Sequence, residues 1–88
     1  MKIGSNKRDK IAEQILSYLF HSFPNTPFTA EIAREIIRDE EFVKRLLFEL
    51  ADKGLVVPIK KNNKGDPFLR RSKWRLSNKV YEVYKSKQ

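Results

Sequence analysis

Six cations and two amides crowd one short stretch of this chain: Lys60, Lys61, Asn62, Asn63 and Lys64, then Arg70, Arg71 and Lys73. Ammonium and guanidinium groups at this density favour phosphate contacts. Each contact releases condensed counterions, and the summed field steers a polyanion toward the protein. The basic excess is localised. Of a net charge of +8, from 19 Lys+Arg against 11 Asp+Glu, residues 54–88 alone sum to +8, whereas 1–10 sum to +3, 11–28 to −1 and 29–53 to −2. Solubility requires no such asymmetry, so a nucleic-acid polyanion is the implied partner.

Other chemistries lack their residues. The absence of cysteine removes disulfides, thiolate zinc sites and cysteine nucleophiles together. His21 is the single histidine, near a helix end; no Gly-rich loop precedes Lys-Ser or Lys-Thr, and no His/Asp/Glu cluster has ligand spacing. The sequence therefore implies a non-enzymatic protein with no metal and no cofactor. A cysteine-free chain fits a reducing cytoplasm, and no window approaches the roughly 18 apolar residues of a membrane span. The basic residues fall on a hairpin rather than along an amphipathic helix, which disfavours a membrane surface.

A chain of 88 residues has room for one small core, read here as a single domain over 7–85 between flexible ends 1–6 and 86–88, with no separate effector domain. Ile11, Ile15, Leu16, Leu19 and Phe23 form the stripe of a first helix from about Lys7 to Ser22, capped by Ser5 or Asn6. Pro24, Asn25 and Pro27 then mark a loop, after which Phe28 resumes packing. Thr29 reads as the N-cap of a short second helix carrying Ile32, Ala33, Ile36 and Ile37. Asp39 reads as the cap of a third helix, with Glu40 and Glu41 in its first turn, Val43, Leu46, Leu47 and Leu50 buried, and Gly54 at its end. From Leu55 to Ile59 the residues are β-prone, 61–67 are rich in turn formers, and Ser72, Trp74 and Leu76 alternate with Arg71, Lys73 and Arg75. Pro58 requires an edge position. Ser77 caps a last helix to about Lys85 with Val80, Val83 and Tyr84 inward. The fold class is mainly α with a small β-hairpin (α+β).

The order helix, helix, helix, hairpin, helix resembles the winged helix-turn-helix proteins, DNA-binding transcription regulators common in archaea and bacteria. The resemblance lies in Thr29-Ala-Glu-Ile-Ala-Arg-Glu-Ile36, Phe42-Val-Lys-Arg-Leu-Leu-Phe-Glu-Leu50 and Lys53-Gly-Leu-Val56, with Trp74-Arg-Leu-Ser77 matching later. Val43, Leu47 and Leu50 fall on the family's apolar positions after the alanine of the second helix. It covers residues 7 to 84, a three-helix core plus wing and C-terminal helix. The chain departs from the pattern at Ile37 and Arg38, where the family has a glycine and an aliphatic residue. It departs again at Asp39, Glu40 and Glu41, three carboxylates where a recognition helix first approaches the groove.

The resemblance implies that the third helix, about 40–53, enters the major groove of double-stranded DNA and that the wing, about 55–76, meets phosphates or a minor groove. Its outward face is Glu41, Lys44, Arg45, Phe48 and Asp52. Arg45 fits a guanine edge, Lys44 a phosphate or base, and Glu41 a cytosine amino group, although carboxylates there also serve the helix dipole. Phe48 has three readings: a thymine methyl, packing under the wing, or another protein. Lys60, Lys61, Asn62, Asn63, Lys64, Arg70, Arg71 and Lys73 supply phosphate contacts, and the backbone near Thr29 and Ala30 adds one more. Tyr18, Phe20, Tyr81 and Tyr84 on the first and last helices either form a homodimer interface or pack those helices together within one chain. A protein partner at Phe42 and Phe48, or RNA in place of DNA, remains open on the residues alone.

Overall fold

The computed structural model describes residues 7–60 and 72–87. They form α1 (Lys7–Ser22), α2 (Thr29–Ile36), α3 (Glu40–Asp52), β1 (Val56–Ile59), β2 (Lys73–Leu76) and α4 (Asn78–Ser86), in the expected order. Ile11, Ile15 and Leu19 of α1, Ile32 and Ala33 of α2, Val43, Leu46, Leu47 and Leu50 of α3, and Val56, Trp74, Leu76 and Val80 make one core. Each helix contributes one stripe because its apolar residues recur every three or four positions.

The caps explain where the elements stop. Asp39 accepts from the Phe42 amide at 2.9 Å and Ser77 Oγ from the Val80 amide at 3.3 Å, starting α3 and α4 as expected. After α3 the chain reverses at Gly54, φ 77°: the Gly54 amide donates to the Ala51 carbonyl and the Leu55 amide to the Leu50 carbonyl. This pair of bonds satisfies the last carbonyls and delivers Val56 directly into β1.

The second helix corrects the expectation for Thr29. Its N-cap is Phe28, whose amide donates to the Glu31 carboxylate at 2.7 Å, and Thr29 is already the first helical residue. The Thr29 hydroxyl instead accepts from Trp74 Nε1 at 2.8 Å inside the core, a partner 45 positions away. At its other end α2 closes with the same two bonds as α3, from the Ile37 amide to Arg34 and the Arg38 amide to Ala33, but a β-branched residue occupies the left-handed position at φ 57°, ψ 58°. The usual turn geometry is thus retained without its glycine. Ile37 is not inward either; it is 83% exposed. Left-handed backbone costs a branched residue roughly 1–2 kcal/mol, and glycine's larger freedom when unfolded offsets part of that. Ile37→Gly is therefore expected to raise stability by roughly 0.5–1 kcal/mol in a urea titration; a loss would show that the exposed side chain supports the fold.

The strands pair antiparallel, Val56 opposite Leu76 and Pro58 opposite Trp74. Trp74 turns its amide away from β1, donating to the Pro27 carbonyl at 2.9 Å, while Thr29 donates to Ser72 at 3.3 Å. Pro58 consequently faces a position where the ladder asks for no donor, and β2 lies between β1 and a short bridge at Phe28. Residues 61–71, with the expected turn and Arg70 and Arg71, lie outside the described residues, as do Ser5 and Asn6.

Two more expectations are corrected. Phe23 lies beyond α1 and is 53% exposed, after which Phe23–Pro24 is a cis peptide; Val83 is 46% exposed rather than inward. Tyr81 takes the inward position instead, its ring 4.4 Å from Phe23 and 5.4 Å from Phe20, and Tyr84 meets Phe20 at 5.4 Å. These rings pack α1 against α4 within the chain. Burial holds the Tyr84 hydroxyl above its ordinary pKa of 10.0, and the nearby Glu13 carboxylate adds to the effect.

Candidate nucleic-acid interface

α3 separates its faces as the sequence predicts. Val43, Leu46, Leu47 and Leu50 are buried, and Glu41, Lys44, Arg45, Phe48 and Asp52 are exposed. Since each residue advances about 100° around the axis, Arg45 lies near the centre of the outer face with Glu41 and Asp52 beside it. Lys44 and Phe48 lie toward one flank, Phe42 and Glu49 toward the other. Asp39 and Glu41 both stand in the positive end of the helix dipole, and Asp39 is committed to the cap.

The hairpin forms the first flank. Phe48 packs edge-to-face on Trp74, centroids 5.6 Å apart with an interplanar angle of 79°, and is still 42% exposed. Of its three readings, packing against the wing is the contact present. Trp74 is fully buried, so a core residue on β2 fixes the hairpin base against the outer face of α3. Lys60 is exposed at the end of β1, while Lys73 leans back over the Phe28 ring with Nζ 5.1 Å from the centroid. Lys61, Asn62, Asn63, Lys64, Arg70 and Arg71 all fall in the segment outside the described residues. Thr29 is 8% exposed and its amide donates to the Ser72 carbonyl, so that amide is not free to meet a phosphate.

The second flank holds a residue that sequence reasoning missed. Arg8, in the first turn of α1, donates through Nη2 to Glu49 Oε2 and lies over the Phe42 ring at 5.5 Å. Both partners are on α3. No local pattern could reveal a pair 41 positions apart, although Glu49 stands one helical turn after Arg45. Among the described residues, no group of His, Asp and Glu could hold a metal ion, and no helix is long and apolar enough to cross a membrane. His21 Nδ1 lies 2.8 Å from the Ser17 carbonyl, consistent with a helix-end role.

Comparison with known proteins is carried by shape. No family model matches the sequence, and no curated protein does. The crystal structure of S. aureus MepR in its DNA-binding conformation aligns with a TM-score of 0.70 at 20% identity, over 86% of this chain. The fold is a winged helix-turn-helix. A mutant MepR from a multidrug-resistant S. aureus clinical isolate aligns similarly, with TM-score 0.71 and 19% identity over 88% of this chain. The chain spans about half the length of these structures, 53% in each case. In this winged helix, β1 and β2 form the base of the wing, and α3 is the third helix of the core beside it.

Proposed function

We propose that this winged helix binds double-stranded DNA as a small transcriptional regulator, with α3 in the major groove and the basic wing on phosphates or in a minor groove. The observation that carries the reading is the α3 face itself: Arg45 and Lys44 are exposed beside a hairpin whose base is fixed by the Phe48–Trp74 contact. The DNA-binding conformation recorded for MepR, which shares the fold, supports it. Arg45 supplies the guanine contact, Lys44 a phosphate or base contact and Glu41 a cytosine contact, while Lys60, Lys61, Asn62, Asn63, Lys64, Arg70, Arg71 and Lys73 supply affinity.

The competing reading, a protein-interaction module centred on Phe42 and Phe48, is weaker because both rings already have partners in Arg8 and Trp74. A homodimer would use the edge where Phe23 and Val83 remain exposed beside the ring cluster of α1 and α4. Selection of bound duplexes from a random pool at physiological salt tests the function, and two chains bound per palindromic duplex would support the dimer, whereas one would remove it. On a selected duplex, Arg45→Ala should relax preference at one base pair, at a cost of about 1–3 kcal/mol. An equal loss on every sequence would demote Arg45 to a phosphate contact. Preferential selection of RNA in a competing pool would replace DNA as the partner.

A further inference from the structure

Arg8 stands where neither its sequence position nor the fold requires an arginine. Its guanidinium is bonded to Glu49 and lies over the Phe42 ring, yet the side chain is 44% exposed. A guanidinium carries five N–H donors, so a single carboxylate oxygen leaves most of them available. Phe42 and Glu49 lie three residues before and four residues after Arg45 on the helix, which places a group touching both beside Arg45. Lys7 and Lys10 on the same turns of α1 are exposed as well. The outer face of α3 is therefore bordered by the wing along one edge and by a cationic helix start along the other.

We propose that Arg8 is a further DNA contact, taking a backbone phosphate beside the base pair read by Arg45, and that Glu49 both holds its guanidinium there and competes with the phosphate for it. The inference rests on the DNA-binding reading above. In the free protein Glu49 neutralises Arg8 and fixes its direction; at the duplex a phosphate oxygen replaces the carboxylate, because bidentate guanidinium–phosphate pairing uses two donors at once. Glu49 thus lowers affinity for any polyanion that does not seat α3 closely enough to displace it.

The test is a double-mutant cycle read as affinity for a fluorescent mixed-sequence DNA duplex of about two helical turns, with thermal midpoints measured in parallel. An exposed ion pair contributes little to stability, so the variants are expected to fold. Arg8→Gln should weaken binding about fivefold at roughly 0.15 M salt and shallow the salt slope by about one, the effect of one lost phosphate contact. Glu49→Gln should strengthen binding, and that gain should disappear in the Arg8→Gln background. If the pair only braces α1 against α3, both single variants weaken binding, which overturns the inference while leaving the DNA-binding reading intact. Unchanged affinity in Arg8→Gln overturns it too, and a Glu49→Gln gain that persists without Arg8 removes the competition. Wild-type protein that binds no duplex sinks the inference together with the reading beneath it.

Discussion

Replacing Trp74 by alanine should remove about 3–5 kcal/mol of folding stability, the largest loss expected from any single substitution in the core. Trp74 is the largest fully buried side chain, and three separate elements meet on it. Its ring carries Phe48 of α3, its indole N–H donates to Thr29 of α2, and its amide donates to Pro27 in the preceding loop. A domain of this size has a total stability of only about 4–13 kcal/mol, so the loss is a large share of the whole and should shift the unfolding midpoint far toward lower denaturant. Guanidinium titration followed by far-ultraviolet circular dichroism measures the effect. Thr29→Val separates the hydrogen bond from the packing: it keeps the volume, orphans the buried indole, and should cost about 1–3 kcal/mol. A Trp74→Ala loss below about 1 kcal/mol would mean that the wing is not anchored through this ring.

The second large effect concerns binding rather than folding. Replacing Lys61, Lys64 and Arg70 together by glutamine should weaken duplex binding on the order of 100-fold at roughly 0.15 M salt, because each phosphate contact contributes about fivefold through counterion release. The loss should be nearly equal for every duplex sequence, since phosphate contacts position a protein without specifying bases. It is measured by fluorescence anisotropy on a selected duplex and on a scrambled one. A loss confined to the selected duplex would assign base reading to the wing.

Much of the architecture is written locally. The α3 stripe, its Asp39 cap, the reversal at Gly54 and the Ser77 cap all depend on residues within one or two helical turns, and all four are where the spacing predicts them. Thr29 shows where such reasoning stops. A threonine before an apolar run has the character of a cap, but the tryptophan 45 positions later claims its hydroxyl, and Glu31 caps the helix from within. Ile37 gives no compositional sign of its left-handed backbone; the two bonds that close α2 impose it. In α4, Val83 is exposed where it was expected inward, and Tyr81, whose side the spacing left open, packs inward because Phe20 and Phe23 present rings rather than aliphatic groups to the last helix. The outer α3 residues of the site were legible from periodicity alone. Arg8 was not, because its position beside Arg45 exists only once the first turn of α1 meets Phe42 and Glu49 of α3.

In the proposed mode of binding, the wing supplies affinity for DNA through phosphates while α3 supplies a smaller preference among sequences. The most direct measurement is the slope of log association constant against log salt, for the wild-type chain and for the Lys61, Lys64 and Arg70 triple variant on one duplex. A steep negative slope is expected for wild type and a slope shallower by about 2.7 for the variant, corresponding to three lost contacts. Equal slopes for the two proteins would contradict it.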